Sequence, residues 1–153
     1  MKRYANNPLN LLIIEDSDED FEALQRIMHQ VSTFPLSITR CIDGDDALDF
    51  LNREGYYSLR NTPHPELMIL DLNLPGTDGR EVLATIKQNN LLKMIPVVVF
   101  STSSNPKDVK DCYQAGVNSY MLKPMNIIDL RNLVQILLDY WLKAMILPSS
   151  VKF

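Results

Sequence analysis

The chain has 153 residues, 46% of them hydrophobic and 22% charged, the balance of a globular protein with one well-buried core. Its net charge of −4 excludes sequence-independent nucleic-acid binding and adhesion to an anionic membrane, both of which need a basic face. No apolar run reaches spanning length, the opening eight residues lack a signal-peptide core, and Cys41 and Cys112 show no C-x-x-C spacing, so a cytoplasmic chain with free thiols is expected.

Leu9 to Ile14 is an apolar run closed by Glu15-Asp16-Ser17-Asp18-Glu19-Asp20, which reads as a buried strand and then a helix over 18–32. Phe21, Leu24, Ile27, Met28 and Val31 recur in that helix at helical spacing. Residues 36–41 alternate apolar and polar after Pro35 and form a second strand. Asp43 to Leu51 gives a turn and an amphipathic helix that ends near Gly55, and Tyr56 to Pro65 is a loop. The next apolar run ends at Asp71, followed by a tight Pro75-Gly76 loop and a helix capped by Asp78, with Val82, Leu83, Ile86 and, at its end, Leu91 on its apolar face. Residues 96–100 are the most β-prone of the chain, and Ser101 to Pro106 breaks them. A helix over 107–115 stops at Gly116; a short strand over 118–123, Lys123-Pro124 and a long helix over 126–147 complete the series.

Strand and helix alternate five times, which implies an α/β chain with a doubly wound parallel sheet, and the elements consume 1–153 as a single domain without an output domain. In such a sheet all strand C-termini open on one rim, and here they deliver Glu15-Asp16, Asp71, Ser101-Thr102 and Lys123-Pro124. Each has a bland explanation alone: acids favour a helix N-terminus, a serine caps, a lysine is solvated. Together they crowd charge, since two carboxylates ~5 Å apart repel by roughly 3 kcal/mol at an effective dielectric near 20. Lys123 offsets one charge, and a hard divalent cation suits the rest. All the candidate ligands are oxygens and neither His29 nor His64 falls on the rim, which selects Mg²⁺ or Mn²⁺ over zinc. A metal held by so few ligands usually also touches phosphate, so phosphoryl chemistry on Asp71 is expected.

These residues resemble the response-regulator receiver (CheY-like) domains of two-component signalling. The match rests on Glu15-Asp16, Gly44-x-x-Ala-Leu48, Asp71 with Leu74-Pro-Gly-x-Asp-Gly79, Ser101 and Lys123-Pro124. More narrowly, Gly79-Arg-Glu-Val-Leu-Ala, Lys93-Met-Ile-Pro-Val-Val-Val and Trp141-Leu-Lys-Ala-Met-Ile-Leu-Pro resemble the stand-alone regulators paired with bacterial and cyanobacterial phytochromes. The resemblance implies a flavodoxin-like sheet of order 2-1-3-4-5 with five helices. It implies that Asp71 takes a phosphoryl group from the histidine of a sensor kinase. Asp16, Asp71 and the backbone carbonyl of Asn73 would hold Mg²⁺, with Glu15 direct or through water. Lys123 and Ser101 would contact phosphoryl oxygens, Tyr120 would be the switch aromatic, and Lys123-Pro124 a cis peptide. Thr102 stands where the family often has Ala or Gly, and its bulk is expected to narrow access to the phosphoryl group.

The last helix is more apolar than one core face requires. Ile127, Leu130, Val134, Leu137, Trp141 and Met145 form one stripe, and Leu133, Ile136, Tyr140, Ala144 and Leu147 a second, read as a homodimer contact. With no output domain, an unknown downstream protein must read the signal by contact. Two rivals differ in chemistry. A haloacid-dehalogenase-like phosphatase needs an acid where Asn73 stands, and a degenerate receiver would bind partners without phosphorylation.

Overall fold

The computed structural model describes residues 7–150. Five parallel strands, β1 (Leu9–Ile14), β2 (Leu36–Cys41), β3 (Leu67–Leu70), β4 (Val97–Ser101) and β5 (Ser119–Leu122), lie in the order β2-β1-β3-β4-β5. Between and after them run α1 (Asp18–Val31), α2 (Gly44–Asn52), α3 (Gly79–Gln88), α4 (Pro106–Ala115) and α5 (Ile127–Asp139). The doubly wound sheet with five helices matches the expected architecture. Among the described residues no helix is long and apolar enough to cross a membrane.

The sheet separates two apolar layers because successive strand residues point to opposite faces. Leu12, Ile14, Met68, Leu70, Val97 and Val99 meet Ala47 and Phe50 of α2, Val82 and Ile86 of α3, and Cys112 of α4. Leu11, Ile13, Leu67, Ile69, Val98 and Phe100 meet Leu24 and Met28 of α1 and Val134 and Leu137 of α5. Both cysteines are buried and free, as expected.

Local chemistry starts the helices where the site needs them. Ser17, Asp43, Asp78, Asn105 and Asn126 each accept a backbone N–H of the first helical turn. Gly44 is required for packing rather than for its torsions. A Cβ there would collide with the Thr77 carbonyl, so only glycine lets α2 close on the loop after β3. The Thr77 hydroxyl donates to Asp45 and ties the same loop to α2.

Three expectations are corrected. Leu91 lies beyond α3, which ends at Gln88, and is 76% exposed rather than part of its apolar face. The last helix does not run evenly to Leu147. Regular α-helix ends at Asp139, and Tyr140–Ala144 widens into a π-turn in which the Met145 N–H bonds the Tyr140 carbonyl at 3.0 Å. The helix stops there, since Met145 is extended at φ −105° and ψ 155° and residues 145–147 are not helical. Leu147 lies in this extended segment, packs into the core layer of α1 and α5 with 3% exposure, and leaves the second stripe. Leu133 is half-buried against the same layer, so Ile136, Tyr140 and Ala144 are the outward members. The Lys123-Pro124 peptide is trans, there being no cis bond among the described residues. The lysine reaches the rim regardless, its N–H held by the Ser101 carbonyl at 2.8 Å.

Candidate functional site

Parallel register builds the rim. Ile14 pairs with Leu70, so the next residues of each strand, Glu15 and Asp71, emerge side by side, and the Asp71 N–H bonds the Ile14 carbonyl at 3.1 Å. Val99 pairs with Tyr120 and Ser101 with Leu122, which sets Lys123 one step above the serine. Glu15, Asp71 and Ser101 are the three buried polar or charged residues among the described residues, whereas Asp16 is exposed at the mouth.

One carboxylate oxygen from each of Glu15, Asp16 and Asp71 lies within 4.8 Å of the others. Lys123 is spent entirely on this cluster. Its ammonium donates to Glu15 Oε2 at 2.7 Å, to Asp71 Oδ2 at 3.1 Å and to Asp20 Oδ2 at 3.1 Å, three donors for three acceptors. The second Asp71 oxygen, Oδ1, accepts the Asn73 N–H at 3.3 Å, and Glu15 Oε1 accepts the Ser17 N–H at 3.1 Å.

The electrostatics follow from that crowding. Burial pushes the Glu15 carboxyl up to about 7, with the Asp71 charge adding to it, although the Lys123 hydrogen bond pulls the other way. Burial works against the Lys123 charge too, but the Glu15 hydrogen bond and the Asp71 and Glu15 charges outweigh it and hold the ammonium above its ordinary range. The pocket thus carries more negative charge than one lysine neutralises. An all-oxygen, acid-rich donor set of this kind fits a hard divalent cation.

Beside the pocket, the Ser101 hydroxyl oxygen accepts the Ser103 N–H at 3.1 Å, and the Tyr120 hydroxyl donates to the Ser103 carbonyl at 2.7 Å. Ser103 in turn donates to Asp108 Oδ2 at 2.6 Å, while Arg80 Nε donates to Asp108 Oδ1 at 2.9 Å. The expected serine and tyrosine are therefore linked through one loop residue that is anchored to α3 and α4. Thr102 is exposed on that loop and Asn73 on the loop after β3.

The residues expected from the rim, Glu15, Asp16, Asp71, Ser101 and Lys123, gather here, and so do Asn73 and Tyr120, which the resemblance alone implied. Three others were not legible as site residues. In the sequence Asp20 is one more acid at a helix start, and nothing in its spacing indicates a lysine partner 103 positions on. Ser103 and Arg40 are the others; Arg40 Nε donates to the Glu15 carbonyl at 3.0 Å from the end of β2.

Known proteins share the family and the fold. The family model described as response regulator receiver domain matches residues 11–135. The response regulator Rcp1 of Synechocystis is 43% identical over 98% of this chain and 100% of its own length. A probable methanogenesis regulatory protein, FilR2 of Methanothrix harundinacea, is 37% identical over 90% of this chain and 86% of its own. Among solved structures, the Mn²⁺-bound form of Rcp1 superposes with a TM-score of 0.86 at 45% identity, covering 92% of this chain and 99% of that one. The phosphorylated cyanobacterial phytochrome response regulator RcpA gives 0.87 at 39% identity, covering 93% and 99%. With its rim of acids around a lysine-bound aspartate and a family match over most of its length, this chain belongs to the response regulator receiver domains.

Proposed function

We propose that this chain accepts a phosphoryl group on Asp71 from the phosphohistidine of a sensor kinase of the phytochrome type, with Mg²⁺ (or Mn²⁺) bound beside it. The observation that carries the reading is the Asp71 carboxylate itself: buried, fixed through one oxygen by Lys123, and within 4.8 Å of the Glu15 and Asp16 oxygens. Its likeness to a Mn²⁺-bound regulator and to a phosphorylated phytochrome regulator supports both the metal and the partner class.

Asp16, Asp71 and the Asn73 carbonyl, with Glu15 direct or through water, would hold the cation. Bound there, it would offset the charge of the carboxylates and of the incoming phosphoryl group. The residues of the chain do the rest by positioning, as a loose phosphoryl-transfer transition state requires. An Asp71 oxygen forms the new bond to phosphorus while the histidine N–P bond breaks and its electron pair stays on the nitrogen. Lys123 already donates to Asp71 Oδ2, and one of its three N–H groups would exchange a carboxylate for a phosphoryl oxygen as the acyl phosphate forms. The Ser101 hydroxyl, which accepts from Ser103, still has its own proton to donate to another. Movement of Ser101 towards the phosphoryl group would pull on Ser103 and so on the Tyr120 hydroxyl, which biases the surface read by a partner.

A small phosphodonor with Mg²⁺ tests the reading. The expected product is one stable acyl phosphate per chain. Continuous phosphate release would instead favour the phosphatase, and no reaction the degenerate receiver.

Metal and pH are linked. Glu15 has a folded value raised from 4.5 to about 7, so the folded metal-free chain holds its proton through that interval while the unfolded chain has lost it. Its contribution to metal-free stability is therefore present at low pH and lost as pH rises through about 7. A cation competes with that same proton, so added Mg²⁺ should raise Tm by more at about pH 8 than at about pH 6. Equal increments in thermal unfolding at the two pH values would remove Glu15 from the metal site.

The second partner is another copy of the chain. Ile136 is 63% and Tyr140 48% exposed, a large apolar surface on a helix whose opposite face already fills the core. A symmetric contact through Ile136, Tyr140 and Ala144 covers it. Ile136→Glu should weaken the dimer by at least about tenfold in light scattering. A parent chain that is monomeric at micromolar concentration, phosphorylated or not, would eliminate the contact.

A further inference from the structure

Arg40 stands outside every role described above, yet it grips the turn that carries two of the acids. It is the next-to-last residue of β2, paired in register with Ile13, and its side chain is 20% exposed. Its guanidinium lies 4.7 Å above the Phe21 ring of α1. From there Nε donates to the Glu15 carbonyl at 3.0 Å, and Nη1 pairs with Asp18 Oδ1 at 2.7 Å. One planar group thus spans both ends of the 15–18 turn, whose middle holds Asp16.

The remaining nitrogen, Nη2, is buried without a hydrogen-bond partner. An unpaired buried donor is costly, and a methionine would cover Phe21 without that cost. The arginine is therefore poorly explained by packing alone. What it adds is a planar fork whose Nε holds the Glu15 carbonyl while Nη1 reaches the Asp18 carboxylate, which is itself 84% exposed, so the carbonyl contact is the stronger end of the clamp.

We propose that Arg40 is a positioning residue for divalent-cation binding: by clamping the Glu15 carbonyl to Asp18 it fixes the turn that presents the Glu15 and Asp16 carboxylates to Asp71. The inference rests on the reading of those three acids as the metal site. A small hard cation demands near-ideal ligand geometry, so loosening the turn costs affinity even though no ligand is removed.

The sign of the effect separates this role from simple electrostatics. As a nearby positive charge, Arg40 would repel a cation, and its removal would tighten binding. As a clamp, its removal loosens binding. Mn²⁺ titration of the native chain, Arg40→Met and Arg40→Lys reads this directly, with metal-free Tm measured on each. Arg40→Met should weaken Mn²⁺ binding by about tenfold, and Arg40→Lys, which reaches one end of the turn but not both, should recover part of it. Unchanged or tighter binding in Arg40→Met overturns the proposal, as does a fall in Tm without a fall in affinity. Where Arg40→Met does not fold, native-like affinity in Arg40→Lys overturns it equally. A native chain that binds no Mn²⁺ would refute the metal site itself, a result distinct from a native chain that binds while its Arg40 variants bind just as well.

Discussion

Asp71→Asn should abolish phosphoryl incorporation, by a factor of at least about 1,000, from both a phosphohistidine donor and a small phosphodonor. An amide cannot supply the oxygen nucleophile, and no neighbouring acid stands in for it. Glu15 Oε2 is bound to Lys123 and Glu15 Oε1 to the Ser17 N–H. Asp16 is exposed at the mouth rather than held in the pocket. The variant should remain folded, because Glu15 and Asp20 still engage the lysine. Radiolabel on the purified chain is the measurement. Incorporation into Asp71→Asn at the native rate would move the acceptor elsewhere and sink the proposed chemistry.

Lys123→Met should damage both the chemistry and the fold, with the stability loss depending on pH. The ammonium is 11% exposed and touches Glu15 and Asp71, themselves 5% and 8% exposed at the side chain. Removing it leaves two buried carboxyl groups without a counter-charge, which costs about 3 kcal/mol, or roughly 10 °C in Tm, at neutral pH. In the native chain the Lys123 value is raised on folding, so its stabilisation is complete below the ordinary lysine range and disappears only in strong alkali. The variant behaves differently. Its Glu15, already raised to about 7 in the parent, should take up a proton more readily still once its cationic partner is gone. The deficit should therefore be largest above neutrality and shrink as pH falls, and Mg²⁺ should restore part of it. Urea midpoints for both chains at two pH values, with and without Mg²⁺, check this. A deficit that does not vary with pH would place the lysine's role outside the acid cluster.

The outline of the site was legible because a parallel sheet imposes a simple rule. Once apolar runs ending at Ile14, Leu70, Phe100 and Leu122 are recognised as strands, the residues that follow them must share a rim. Glu15, Asp16, Asp71, Ser101 and Lys123 need no further information. Strand order was different, since alternation alone permits several parallel arrangements and the 2-1-3-4-5 order came from resemblance.

Sequence by itself determined what depends on near neighbours in the chain: the strands from continuous apolar runs, the helices from their apolar spacing and caps, and the sign of the charge at the rim. Tertiary structure alone decided which distant groups share one partner. Lys123 is divided among Glu15, Asp20 and Asp71, Arg40 closes the turn after β1, and Ser103 ties Tyr120 to Asp108. It also decided the fate of Leu147, since the chain leaves the helix for an extended segment after Ala144 and helical spacing no longer says which face Leu147 occupies. Periodicity records which face a residue occupies, whereas hydrogen bonds a few ångströms long depend on packing that brings together residues far apart in the chain.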